Sequence, residues 1–236
     1  MSGFSFKQFE VCHDRCGMKV GTDGCLLGAW ASGGSRILDV GTGSGLIALM
    51  MAQRFPASRV TAIDIDADAV SQAKENVINS PFADRVDVIE ADFNNFFIEA
   101  NTEKPLYDAI VSNPPFFENA LKTPDAQRNI ARHSDSLTYA SLMRNAYRLL
   151  SAEGTLTVVV PADYESVVMS EAAIAGFFLS QRTAIRTKEN KPIKRLLLAF
   201  TKSSPYEIDN IECALLSSDG MRSVWYQSLM SDFYLR

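Results

Sequence analysis

Ile37-Leu38-Asp39-Val40-Gly41-Thr42-Gly43-Ser44-Gly45 decides how this chain is read. A short apolar run suited to a buried strand leads straight into glycines at 41, 43 and 45, and Leu46 to Arg54 follows as a helix. Glycines there let the backbone turn sharply from strand to helix, and they let a ligand approach where a Cβ would obstruct it. A dinucleotide fingerprint would place its third glycine at position 46, which is Leu46, so the G-x-G-x-G spacing does not suit a pyrophosphate. The stretch reads as the opening of a nucleotide-binding βαβ unit.

The same alternation continues outward. Arg59 to Asp64 reads as a second strand and Ala67 to about Asn79 as a helix, with Ala69, Val70, Ala73 and Val77 on one face. Arg85 to Glu90, Tyr107 to Ser112 and Thr155 to Val160 read as strands three to five, the last two separated by a helix around Tyr139 to Leu150. Phe177 to Ala184 and Arg195 to Thr201 close the pattern as an antiparallel hairpin at the sheet edge. This order predicts an α/β fold with a doubly wound, mostly parallel sheet covered on both faces. One main domain over 31–205 is expected, with a leader and lid segment over 1–30 and an extension over 206–236 packed on it. Glu118 to Ser136 is polar and aperiodic, and it lies directly after strand four, beside the crevice where open α/β sheets bind ligands.

A chain of 236 residues, 47% of them apolar, can bury a large core without disulfides, although it carries 4 cysteines. Cys12-His13-x-x-Cys16 with Cys25 lacks the paired Cys-x-x-Cys spacing of a zinc framework, so no metal is expected. No apolar run approaches the roughly 18 residues a membrane helix needs, and Met1 to Lys7 lacks a signal-peptide pattern, so a cytoplasmic location is expected. The net charge of −5 argues against holding nucleic acid by bulk electrostatics. One basic island, with Arg182, Arg186, Lys188, Lys191, Lys194 and Arg195 against Glu189, reads either as a solvated loop or as a phosphate contact. Trp225-Tyr226 and Phe233-Tyr234 read as a tail docked on the core.

Ser112-Asn113-Pro114-Pro115-Phe116-Phe117 ends strand four with the means to grip a flat nitrogen-bearing group. The Asn113 side-chain oxygen and the Pro114 carbonyl can accept the two N–H bonds of a planar amine, and proline's fixed φ holds that carbonyl direction. Phe116 can stack on a base, and Phe117 reads as a lid or packing residue. On the other side of the reaction, Asp64 ends strand two where it can accept from ribose hydroxyls. Asp92 can accept from an exocyclic adenine amine while Phe93 packs on the ring.

In this order, the glycine turn, Asp64, Asp92 and Asn-Pro-Pro-Phe resemble the class I S-adenosylmethionine-dependent methyltransferases that act on planar amines. More narrowly, Lys19 to Trp30, Ala131-Arg132-His133 and Asp232 to Arg236 look like the bacterial tRNA1(Val) (adenine-37-N6)-methyltransferase family. That resemblance implies a Rossmann-like seven-stranded sheet, S-adenosyl-L-methionine as donor and a tRNA anticodon loop as partner; a monomer is expected. It places Asp39, Gly41, Gly43, Gly45, Asp64, Asp92 and Phe93 around the cofactor, with Thr22 in a segment closing over its methionine end. Arg132, His133, Lys191, Lys194 and Arg195 are the candidates for contact with RNA phosphates. Guanine-N2 methylation of rRNA and N5 methylation of a protein glutamine are the competing reactions, and a binding module with a degenerate cofactor fold is the non-enzyme alternative. The glutamine enzymes usually carry Tyr where this chain has Phe116, and they carry an N-terminal helical domain for which the leader is short.

Overall fold

The computed structural model describes residues 3–15, 19–99, 106–115 and 137–235. Its frame is a parallel set formed by β3 (Arg36–Val40), β4 (Arg59–Asp64), β5 (Val86–Glu90), β6 (Tyr107–Ser112) and β7 (Leu150–Pro161). Side chains alternate between two cores: Ile37, Ala109, Val111 and Val159 face one, while Leu38, Val40, Ile110 and Val158 face the other. Covering a sheet on both faces requires such near-continuous apolar strands.

Helices α1 (Thr22–Trp30) and α2 (Leu46–Arg54) fill the first core. They cross closely because Gly28 has no side chain; a Cβ there would lie 2.8 Å from Met50. Helix α3 (Ala67–Ile78) starts at Asp66, whose carboxylate accepts the Asp68 N–H. On the opposite face lie α4 (Phe93–Glu99), α5 (Tyr139–Leu149), held by a Thr138–Ser141 capping box, and α6 (Glu165–Ala175). A two-stranded antiparallel ribbon, β1 (Gly3–Ser5) with β2 (Glu10–Cys12), precedes α1.

Strand order in the large sheet is β10-β8-β9-β7-β6-β3-β4-β5. The expected closing hairpin is present as β8 (Phe178–Lys188) and β9 (Ile193–Thr201), with β9 inserted antiparallel between β7 and β8. The expected seven strands gain an eighth: β10 (Asp209–Leu216) runs parallel along β8 and occupies the outermost position. Strand β7 also begins earlier than its apolar run, at Leu150. It passes through Gly154, where a Cβ would come within 3.0 Å of the Asp108 carbonyl.

The last helix, α7 (Val224–Met230), packs with α1, and the tail after it docks on the first core through buried Phe233. Lys7 N–H donates to the Phe233 carbonyl at 2.9 Å, and the Tyr226 and Tyr234 hydroxyls meet at 3.0 Å. Phe4 and Phe6 pack their rings against Tyr234. The aromatic tail therefore welds the leading ribbon to the domain. Among the described residues no helix is long and apolar enough to cross a membrane.

Candidate active site

Strand order reverses beside β3: β4 and β5 lie on one side, and the chain then returns to β6 on the other. Open α/β sheets form their ligand crevice at such a point, beyond the carboxyl ends of the strands. Val40 and Ser112 are register partners, and the Ser112 hydroxyl donates to the Val40 carbonyl at 2.8 Å. Gly41 and Asn113 are thus the next residues of two adjacent strands. Val40 also pairs with Ile63, and Asp64 with Glu90, so the glycine turn, Asp64 and Asp92 follow one another across the sheet.

The three glycines all have positive φ, 71°, 54° and 80° at 41, 43 and 45, which side chains other than glycine tolerate poorly. Their roles differ. A Cβ on Gly45 would sit 3.3 Å from Ala73, so Gly45 sets the approach of α2 to α3; a Cβ on Gly41 or Gly43 would meet no atom of the described residues within 4 Å, its chain neighbours aside. Gly41 and Gly43 line a cavity of about 340 Å³ that Gly45 does not reach, together with Lys19 to Gly24, Thr42, Ser44, Leu46, Ile47, Asn113 and Arg195.

Asp39, expected at the cofactor, lies wholly buried beneath the turn. One carboxylate oxygen accepts from the Thr42 hydroxyl at 2.6 Å and the Ala48 N–H at 3.1 Å, and the other has no partner among the described residues. Burial pushes its pKa up to about 7 against those two bonds. Its part is to shape the loop from below, because the strand pleat turns residue 39 away from the crevice. Asp64 accepts from Gly43 N–H at 2.8 Å and Asp66 N–H at 3.0 Å, which ties the turn to the end of β4. Ile65 beside it is 55% exposed, an apolar surface at the strand end that reading the acids alone passed over. Asp92 caps α4, accepting from Asn94 N–H and the Asn95 amide at 2.9 Å each. Phe93 is only 4% exposed and belongs to the second core, so its ring is placed for packing inside the protein.

Asn113 is brought to the cavity as its position after β6 requires. Its side-chain oxygen is buried and has no hydrogen-bond donor among the described residues, and Pro114 next to it is buried. A buried acceptor without a partner is costly in a resting fold, and an N–H of a ligand entering the cavity can satisfy it. Thr22 opens α1 on the cavity rim, and no side chain caps that helix.

Three of the six cations in the basic island, Arg182, Arg186 and Arg195, are paired with acids within the fold. Arg182 pairs with Glu165 and Arg186 with Glu212, at 2.6 and 2.7 Å. Arg195, expected on the hairpin surface, lines the cavity instead and donates from Nε to Asp23 at 2.7 Å. Lys191 and Lys194 remain exposed near the hairpin turn. Phe116, Phe117, Arg132 and His133 lie outside the described residues. Among the described residues no group of three His, Cys, Asp or Glu side chains converges as metal ligands would. Burial raises the Cys25 thiol to about 11, partly offset by its hydrogen bond with Tyr234; Cys16 lies outside the described residues.

A sheet of this order, with a glycine turn and an Asn-Pro-Pro turn at its reversal, defines a Rossmann-like methyltransferase fold. The chain superposes with a TM-score of 0.69 on a predicted O-methyltransferase from Agrobacterium tumefaciens, covering 89% of this chain and 96% of that one at 18% identity, a likeness of fold alone. The family model for the methyltransferase small domain matches residues 24–190, and the chain belongs to that family. It is 49% identical to the tRNA1(Val) (adenine(37)-N6)-methyltransferase of Phocaeicola vulgatus, over 98% of this chain and 97% of the relative. It is 50% identical to the protein of the same name from Bacteroides fragilis, over 84% of this chain and 83% of the relative.

Proposed function

We propose that this protein transfers a methyl group from S-adenosyl-L-methionine to N6 of adenine-37 in the anticodon loop of a valine tRNA. The observation that carries the reading is the buried oxygen of Asn113, without a donor among the described residues, on a residue that lines one cavity with Gly41 and Gly43. Relatives 42–50% identical over most of the chain and named for that reaction support the choice of acceptor.

The residues present fit the cofactor. The open space above Gly41 and Gly43 admits a ligand against the backbone, Asp64 offers acceptors for ribose hydroxyls, and exposed Ile65 offers an apolar face for a base. Asp92 would take the adenine amine, and the segment around Thr22 the methionine end. When bound, the cofactor supplies an electrophilic methyl on a sulfonium. The protein's own contribution is to place the acceptor: Asn113 Oδ1 and the Pro114 carbonyl accept the two amine N–H bonds, which turns the nitrogen lone pair out of conjugation with the ring. Positioning of this kind replaces much of the entropy cost of bringing two reactants together. A base in a single-stranded loop is cheap to splay outward. With a net charge of −5, phosphate contact has to be local, and Lys191 and Lys194, both exposed, are the candidates for it.

The test is methyl transfer from labelled cofactor to a tRNA1(Val) transcript, beside the same transcript with guanine at position 37, rRNA and a release factor. Label confined to the adenine-37 transcript is expected. Label in rRNA or protein, or equal label with guanine at that position, overturns the reading.

A further inference from the structure

Asn76, in the last turn of α3, is 3% exposed and bonds to main chain 32 and 64 residues away. Its Oδ1 accepts the Cys12 N–H at 2.9 Å, while Nδ2 donates to the Cys12 carbonyl at 2.7 Å and to the Ser44 carbonyl at 2.8 Å. Cys12 ends the leading ribbon, and Ser44 belongs to the glycine turn and lines the cavity. Cys12 presents a donor and an acceptor together, which fixes the way the amide faces and leaves the second Nδ2 proton for Ser44. One face of α3 grips the same segment further along: Arg15 N–H donates to Gln72 Oε1 at 3.3 Å, and the Arg15 guanidinium meets Ser71 at 3.1 Å and Glu75.

We infer that Asn76 is a positioning residue for the cofactor turn, through which docking of segment 3–15 and cofactor binding are coupled. The inference rests on the cofactor reading above and adds a residue outside the cavity lining. Ser44 lies between Gly43 and Gly45, both at positive φ, in backbone that side-chain sterics restrain least. The Ser44–Gly45 peptide is held at both ends: Gly45 N–H donates to the Thr42 carbonyl at 2.9 Å inside the turn, and Asn76 takes the Ser44 carbonyl from outside it. The Asp39 and Asp64 carboxylates act on Thr42 and Gly43, so the setting of residue 44 falls to Asn76. Because one amide serves both ends, freeing the Cys12 backbone lets the amide turn and loosens the Ser44 bond. By linkage, a ligand that fixes the turn holds the leading segment more firmly.

The experiment measures amide hydrogen exchange of the full chain with and without S-adenosylhomocysteine, and affinity by calorimetry. In wild type the ligand should slow exchange over residues 10–15, which lie outside the cavity lining, while β10 at the far sheet edge exchanges as before. Asn76→Asp keeps the shape of the side chain and the acceptor for Cys12 N–H but removes both donors. Folded by circular dichroism, it should bind S-adenosylhomocysteine about tenfold more weakly, within the usual range of coupling between sites. KM for S-adenosyl-L-methionine should rise with it, while kcat at saturating cofactor changes less than about twofold, because Asn113 is held by β6. Ligand protection of 10–15 should be lost in this variant and kept over 41–45. Unchanged affinity in Asn76→Asp with only a lowered unfolding midpoint, or wild-type exchange over 10–15 that the ligand leaves unaltered, overturns the inference. The second result needs no variant and stands even if Asn76→Asp fails to fold. A wild type that binds no S-adenosylhomocysteine overturns the cofactor reading instead.

Discussion

Ser112 donates its hydroxyl to the carbonyl of Val40 at 2.8 Å, across the point where the strand order reverses. The bond is fully buried, and it locks the last residues of β6 and β3 at one level. The glycine turn and Asn113 are therefore presented side by side by the rigid part of the sheet.

Asn113→Ala should lower kcat by about a hundredfold or more, the order expected when a reacting group loses its positioning. Affinity for S-adenosylhomocysteine should change little, because the glycine floor and Asp64 are untouched. Single-turnover transfer and calorimetry separate the two; near-normal turnover would show that the amine is held elsewhere.

Asp64→Ala removes an acceptor from Gly43 N–H and from Asp66 N–H as well as the candidate ribose contact. S-adenosylhomocysteine should bind about tenfold more weakly or worse, about 1.4 kcal/mol, with kcat at saturating cofactor falling less. Unchanged affinity would leave Asp64 a purely structural residue.

Asn76, only 3% exposed, holds the backbone of Cys12 through both its amide atoms and also donates to the Ser44 carbonyl at 2.8 Å. Asn76→Ala strands these groups and should destabilise the protein by about 2–4 kcal/mol. Urea denaturation measures it, and a loss under 1 kcal/mol would mean that water replaces the amide.

Asp39 carries a pH dependence of defined sign. Its carboxyl is raised from 3.8 to about 7 by burial, so between those values the unfolded chain ionises while the folded one keeps its proton. The unfolded state then binds fewer protons, and the contribution of this group to stability is lost as pH rises through that window. Stability of the wild type relative to Asp39→Asn should fall between about pH 4 and 7 and level off above. Urea midpoints of the pair across that range give the result; a flat difference would mean that the carboxyl titrates at its ordinary value.

The helices and strands around the glycine turn were legible because they carry strong local signals: unbroken apolar strands, glycines at 41, 43 and 45, and the apolar face Ala69, Val70, Ala73 and Val77. Strand β10 was not, since Ala214 is its only buried residue and an edge strand exposed along most of its length shows no clear alternation. The ribbon strands are 3 residues each, too short for any period to show. At the site, the positions following β3, β4 and β6 were readable from strand ends. The division of labour within the turn was not: Asp39 and Gly45 face inward for reasons of pleat and helix packing. Nor could the sequence pair Arg195 with Asp23, which lie 172 residues apart.

That separation bears on how the protein is made. Strand β9 follows β8 through a tight turn, so the two can zip together early, whereas the β7–β9 seam and the Arg195–Asp23 contact wait for long loops to close. A chain arrested with its hairpin formed but undocked has the glycine floor and lacks one wall of the cavity. Recovery of ligand affinity during refolding will therefore report when that wall of the cavity has closed.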